Sequence, residues 1–224
     1  MLSRNKGRVI VLSGPSGAGK TTLHDLLLKS PCFRERLVRS ISATTRPPRG
    51  TEQQGRDYLF LSQRMFESRL RRGHFLEWAR VFENYYGTPT KNVRDILRSG
   101  RHVLLCIDVQ GAKQVKAKMP EAVLFFVRTP TMKALRRRLE ARGTDSPKSV
   151  ALRLRTAGEE LEQACHYDHV IINDDLTRAF QSLEKILTEE LDPGSPARKQ
   201  AVFACQAGRP TGVRRKRDGH VKSR

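Results

Sequence analysis

Cysteine is scarce and badly placed for chemistry: Cys32, Cys106, Cys165 and Cys205 stand far apart, with no Cys-x-x-Cys among them. That spacing argues against a disulfide framework or a thiolate metal centre, and reduced thiols in the cytoplasm are the expectation. Long apolar runs are missing too. The longest, such as Ala122–Val127 and His102–Ile107, are far too short to span a bilayer, so no membrane partner is expected. Residues 1–7 are basic but carry no apolar stretch ahead of the first strand, which argues against a secretory leader. No internal repeat is visible. The last deficit is acidic: 23 Asp and Glu against 43 Lys and Arg leave a net charge of +20. Such a balance invites nucleic acid or other polyanions. Part of it is local, because residues 192–224 hold nine basic and two acidic side chains, a net of +7. The remaining +13 lies in residues 1–191, where a site for several phosphates would itself need clustered arginines. Basicity alone leaves substrate and polymer both open.

What is present is organised around residues 8–23. Val9–Leu12 reads as a buried strand running into Gly14-Pro15-Ser16-Gly17-Ala18-Gly19-Lys20-Thr21, after which Leu23, Leu26 and Leu27 fall at helical spacing. Strand, glycine-rich turn and helix start form the context of a phosphate-binding loop. Glycines let backbone N–H groups turn inward around an anion, and the helix start adds unpaired N–H donors and the positive end of its dipole. Lys20 can reach the outer phosphates and the Thr21 hydroxyl can ligate Mg²⁺. The chain therefore binds a nucleoside triphosphate, and the question is where the γ-phosphate goes.

The rest of the chain alternates strand and helix, except between residues 42 and 90. A helix over about 20–30 is followed by a strand over 36–41, then by a segment whose two prolines and two glycines exclude a helix. In that segment Ser42, Arg46, Arg49 and Tyr58 can form an anion clamp, since the planar guanidinium donates to phosphate in pairs. A helix over 62–72 and a strand over 75–82 follow, with a turn at Glu83-Asn84. Residues 85–89 lead into a helix capped by Thr90 and ending near Gly100. Glu77 lies among apolar residues and needs a partner there, either a ligand or a nearby arginine. A core strand over 102–107 ends in Asp108-Val-Gln-Gly111, with a helix from about 112 to 118. A strand over 122–127, helices over 131–142 and 149–165, a last strand over 170–172 and an amphipathic helix over 176–191 complete the pattern. This predicts an α/β fold, a parallel sheet with helices on both faces, interrupted by a small mixed insertion. Residues 192–224 lack apolar periodicity and read as a disordered basic tail with room for a nucleic-acid or acidic partner.

Seven segments taken in order, Gly14–Thr21, Ser42–Phe60, Phe75–Trp78, Asn84–Pro89, Asp108–Ala112, Arg138–Gly143 and Tyr167–Leu176, resemble the guanylate kinases, P-loop kinases of nucleoside monophosphates. The resemblance covers residues 6–191. A phosphate loop alone is shared with many ATPases; Ser-x-x-x-Arg-x-x-Arg followed by Glu-Trp and Tyr-Tyr-Gly-Thr is far more specific. It implies a P-loop kinase core (1–41 and 91–191), a GMP-binding insertion (42–90) and a mobile lid (138–155). The implied reaction moves the γ-phosphate of ATP to GMP, or dGMP, with Mg²⁺.

By the same resemblance, Gly14, Pro15, Ser16, Gly17, Ala18, Gly19, Lys20, Thr21 and Thr22 hold ATP, with Arg142 and Asn173 near its adenine. Lys20, Arg138 and Arg153 are the implied transfer-site cations. Mg²⁺ falls to Thr21, mostly through phosphates and water. Ser42, Arg46, Arg49, Tyr58 and Tyr86 would hold the GMP phosphate, and Glu77, Thr88 and Asp108 would read the guanine. Two other readings remain: a related P-loop kinase of another small phosphorylated acceptor, and a catalytically weakened scaffold of the same fold. One position departs from the family pattern. Many members read Asp-Ile-Asp before Val-Gln-Gly, whereas this chain has Cys106-Ile107-Asp108. A thiol carries no fixed charge at neutral pH, which leaves two readings: weaker metal positioning and slower turnover with substrate binding largely kept, or a small buried apolar residue with Asp108 sufficing.

Overall fold

Residues Val9–Ser13 form β1, buried along its whole length, and the strand shows why the sheet must be covered on both faces. Ile10 and Leu12 pack with Leu104 and Phe125 against Leu23 and Leu27 on one side, and against Leu183 and Leu187. Val9 and Val11 point the other way, into Val103, Leu105, Leu124, Ala112 and Val115. Alternate residues of one strand thus feed two separate cores, the pattern of a parallel sheet between helical layers. The computed structural model describes residues 7–81, 83–141 and 146–192; the tail beyond Asp192, and Arg142 with it, lie outside them.

The main sheet has five parallel strands: β2 (Leu37–Arg39), β7 (His102–Cys106), β1, β8 (Val123–Arg128) and β9 (His169–Ile172), in that order. Helices α1 (Lys20–Lys29) and α7 (Leu176–Leu191) cover one face, and α3 (Thr90–Arg98) and α4 (Val109–Lys118) the other. A second sheet, in the order β4 (Leu59–Phe60), β3 (Ala43–Thr44), β6 (Asn84–Pro89), β5 (Phe75–Val81), carries α2 (Gln63–Arg71). It has its own small core, in which Phe66 stacks on Phe75 and Tyr85 at centroid distances of 4.3 and 5.2 Å. Helices α5 (Met132–Glu140) and α6 (Pro147–Glu162) join through Leu135, Leu139, Val150 and Ala157.

The fold class is the one expected, and several boundaries move for local reasons. Helix α4 starts at Val109, three residues earlier than its apolar pattern suggested, because the Asp108 carboxylate accepts from the Gly111 N–H at 2.7 Å and caps it. Helix α6 starts at Pro147, capped by Ser146, rather than at Ser149; proline at a first helical position loses no hydrogen bond. It ends at Glu162, and a 3₁₀ turn over Gln163–His166 replaces its last turn. Thr90 is the first residue of α3, not its cap; that place belongs to Pro89. Asn84 opens β6 rather than forming a turn. Asp192 is tied to Arg36 at 2.7 Å, so the folded body includes it.

Strand β5 is an edge of the second sheet, and α4 satisfies its free backbone groups. The Gln114 side-chain amide accepts from the Trp78 N–H at 3.1 Å and donates to the Trp78 carbonyl at 2.7 Å. The Lys118 ammonium donates to the carbonyls of Leu76 and Phe75 at 2.6 and 3.1 Å. These contacts close an edge that would otherwise invite pairing and fasten the insertion to the main sheet.

At the opposite end of the sheet, the buried His102 accepts at Nδ1 from the Arg8 backbone N–H at 3.1 Å. Burial, reinforced by Arg36 and Arg8, holds its pKa below the usual imidazole value. The folded state thus binds fewer protons than the unfolded one below about pH 6.5, so stability falls as pH drops through that range. Urea midpoints measured from pH 7.5 to 5 should fall, with a slope of at most about 1.4 kcal/mol per pH unit from this group. His102→Asn, which keeps an acceptor without a titrating ring, should flatten that limb.

Candidate active site

The donor half of the site grows from the end of β1. Gly14, Gly17 and Gly19 all take positive φ, at 129°, 88° and 94°. A Cβ on Gly14 would lie 2.2 Å from the Val127 backbone oxygen, and one on Gly19 2.2 Å from the Asn173 amide nitrogen. Asn173 is buried and donates from Nδ2 to the Ala18 carbonyl at 2.8 Å. Its own backbone carbonyl accepts from the Arg138 guanidinium at 2.7 Å. Asn173 therefore sits beneath the loop as a buttress and links it to α5, which brings Arg138 beside Gly19. The Lys20 ammonium donates to the loop carbonyls of Gly14 and Pro15 at 2.6 and 2.9 Å. Pro15 and Ala18 are buried within the loop, while Ser16, Thr21 and Thr22 face outward. Leu135 and Leu139 of α5 press on Gly17. Arg153 lies half-buried on α6, and Arg142 is outside the described residues.

The acceptor half occupies the second sheet. Arg46, buried, is held in a two-pronged ion pair by Glu52, at 2.6 and 2.7 Å, with its guanidinium 5.1 Å over the Tyr58 ring and 5.8 Å over Phe60. Glu52 also accepts from the Arg49 N–H at 2.8 Å, so one carboxylate organises the whole turn between the two arginines. Arg46 first, then the Arg49 N–H, holds the Glu52 carboxyl down at about 2. Tyr86 meets Tyr58 edge-on at 6.3 Å. Arg49 itself is exposed. Sequence reasoning missed Glu52; the available signal was that a guanidinium folded under aromatic rings demands a counter-charge nearby.

Glu77 and Thr88 are brought together by strand register, directly opposite one another on β5 and β6. The Thr88 hydroxyl donates to Glu77 Oε1 at 2.5 Å, so its proton is directed at the carboxylate rather than outward. Glu77 is only 4% exposed, and burial pushes its pKa up to about 7 against the opposing Thr88 hydrogen bond, with nearby Asp108 adding to the rise. The second carboxylate oxygen stands 2.6 Å from where a Cβ on Gly111 would be. Only a glycine in the first turn of α4 leaves room for that approach, and its role was not legible from the sequence. Asp108 is half-buried, with one oxygen engaged in capping α4.

Between the halves lies a cavity whose walls include Thr21, Asp25 and Cys106, with Arg39 at the end of β2 of the main sheet, and Ser42 and Tyr58 on the acceptor side. Burial raises the Cys106 thiol, which leaves it neutral. The hydroxyl of Thr21 with the carboxylate of Asp25 on the same wall is an oxygen set that suits a hard divalent cation such as Mg²⁺, and the thiol is the misfit.

The chain is 47% identical over 191 residues to the guanylate kinase of Rubrobacter xylanophilus, covering 85% of this chain and 98% of that protein. It is 48% identical over 193 residues to that of Gloeobacter violaceus, covering 85% and 91%. The crystal structure of guanylate kinase from Anaplasma phagocytophilum superposes with a TM-score of 0.67 at 34% identity, covering 85% of this chain and 90% of that one. With the guanylate kinase family model matching residues 6–190, the chain belongs to the guanylate kinase family.

Proposed function

We propose that this protein transfers the γ-phosphoryl group of ATP to GMP, giving ADP and GDP. The observation that carries this reading is the buried Glu77 carboxylate, held by Thr88 on the sheet that also bears the Arg46 clamp. Guanine offers N1–H and N2–H₂ as adjacent donors, which a carboxylate accepts together. Adenine presents a lone pair at N1 and would set an acceptor against an acceptor. A site built to hydrogen-bond its substrate discriminates against the unmatched analogue by roughly 10⁴–10⁵.

The acceptor phosphate belongs with Arg46, Ser42, Tyr58 and Tyr86, where Arg46 is already oriented by Glu52 and its aromatic stack. The triphosphate belongs in the loop, where Lys20 exchanges the Gly14 and Pro15 carbonyls for phosphate oxygens. Arg138, adjacent to Gly19, and Arg153 neutralise charge on the group in transfer. A phosphate oxygen of GMP is already an anionic nucleophile at neutral pH, so positioning and charge neutralisation suffice without a general base. Thr21 would hold Mg²⁺, which when bound supplies charge neutralisation across the β- and γ-phosphate oxygens. Lys20 and Thr21, both clamp arginines and Glu77 are all retained, which favours an enzyme over a binding scaffold.

The test is ADP release from ATP and Mg²⁺ with GMP, dGMP, AMP, CMP and UMP as acceptors. GMP and dGMP should be phosphorylated and the others ignored. ATP binding without transfer to any acceptor would instead favour the scaffold.

A further inference from the structure

The substitution of Cys106 for a carboxylate leaves the wall beside Thr21 without a charge at the end of β7, and the fold supplies one from another element. Asp25 lies one helical turn after Thr21 on α1, so the two side chains share a face. Both line the cavity between the donor and acceptor halves together with Cys106, and Asp25 is the only acidic residue among the described side chains that line it. Its carboxylate is fixed by His24, whose Nδ1 stands 2.9 Å from Oδ1. His24 is buried. A carboxylate can only accept, so the ring directs its Nδ1–H at Asp25 Oδ1, and Oδ2 lies outside that contact.

We infer that Asp25 is a positioning residue for the metal of Mg²⁺–ATP, acting through a metal-bound water from the α1 side and standing in for the carboxylate that position 106 lacks. This rests on the proposal that the loop binds ATP with Mg²⁺, and not on the identity of the acceptor. A carboxylate two bonds removed from a cation holds its water shell in place, and loss of such a partner typically weakens metal affinity or activity by about 10–100-fold. The neutral Cys106 thiol beside Thr21 has no comparable effect. The metal-positioning defect expected at position 106 is then largely offset by Asp25.

The experiment is calorimetric binding of ATP to the full chain with Mg²⁺ and with EDTA, for the parent, Asp25→Asn, Cys106→Asp and the double variant. Asp25→Asn should weaken ATP binding about tenfold or more with Mg²⁺ present. Without metal it should leave binding unchanged or tighter, because a negative charge near the phosphates is gone. Calorimetric binding of GMP should not change. Cys106→Asp should restore Mg²⁺-dependent affinity in the Asp25→Asn background while changing the parent little. Equal weakening with and without metal would overturn the inference, as would failure of Cys106→Asp to rescue. The Asp25 side chain is 54% exposed, so the isosteric amide should fold; a thermal melt checks that. If the parent itself binds ATP no better with Mg²⁺ than without, the underlying metal reading fails first, which separates the two outcomes.

Discussion

Glu77→Gln should lower kcat/KM for GMP by about 10²–10⁴-fold while leaving ATP affinity near its original value. The carboxylate offers two acceptor oxygens to two guanine donors, and charge-assisted hydrogen bonds contribute about 1.5–3 kcal/mol each. In glutamine one of those oxygens becomes an NH₂ that meets another donor. The Thr88 hydroxyl, which donates to Glu77 in the parent, can still donate to the amide oxygen, so the β5–β6 register should persist. Steady-state kinetics with GMP and dGMP, beside ATP binding by calorimetry, measure the split. An equal loss on both substrates would mean that the insertion had collapsed rather than lost its base contact.

The same residue makes acceptor binding pH-dependent in a defined direction. Burial places the Glu77 pKa at about 7 in the free protein, while guanine selects the ionised form. Apparent GMP affinity should therefore weaken about tenfold per pH unit below that point and level off above it. A phosphate monoester's own second ionisation, near pH 6, lies lower and is separable. Glu77→Gln should erase the limb near 7 and keep the lower one.

Gly19→Ala should damage the donor half both through its backbone and through the side chain beneath it. Alanine pays a strain of about 1–3 kcal/mol at φ 94°. Its Cβ would also stand 2.2 Å from Asn173 Nδ2, a buried side chain that can retreat only by giving up the Ala18 carbonyl. Leaving that polar pair unsatisfied costs about 1–3 kcal/mol more. For a chain of this size each kcal/mol lowers Tm by about 2–4 °C, so a fall of roughly 4–24 °C is expected. ATP binding should drop by more than tenfold in calorimetry, because the strained turn and the displaced Asn173 side chain distort the loop whose N–H groups meet the phosphates. GMP binding should survive. A variant with parental Tm and ATP affinity would show that the buttress can yield.

How much of this was legible depends on whether a contact is local. The phosphate loop reads directly from the chain because its glycines answer a backbone requirement within eight residues. The alternation of apolar strands and amphipathic helices likewise carried the parallel sheet, and α7 falls on the residues its periodicity marks. The insertion was legible as an interruption, but not its interior order, since the two-residue strands β3 and β4 are made by pairing and not by pattern. Glu77 and Thr88 could be singled out separately; that they meet follows from the β5–β6 register. Gly111, Gln114 and Asp25 were invisible for a shared reason. Each acts on a residue of another segment or on a shared cavity wall, and nothing in its own neighbourhood signals that. Asp108 was expected at the guanine; what the structure shows of it is the cap that one of its oxygens makes on α4.

The clamp that Gln114 places on β5 has an optical consequence. The residue it grips at both backbone groups is Trp78, the chain's sole tryptophan and the neighbour of Glu77. Indole emission from this protein therefore has one source, mounted beside the buried Glu77 carboxylate and next to it on the same strand. Any movement of that strand as the acceptor base arrives is written into a single fluorophore, with no label to attach and no second tryptophan to subtract.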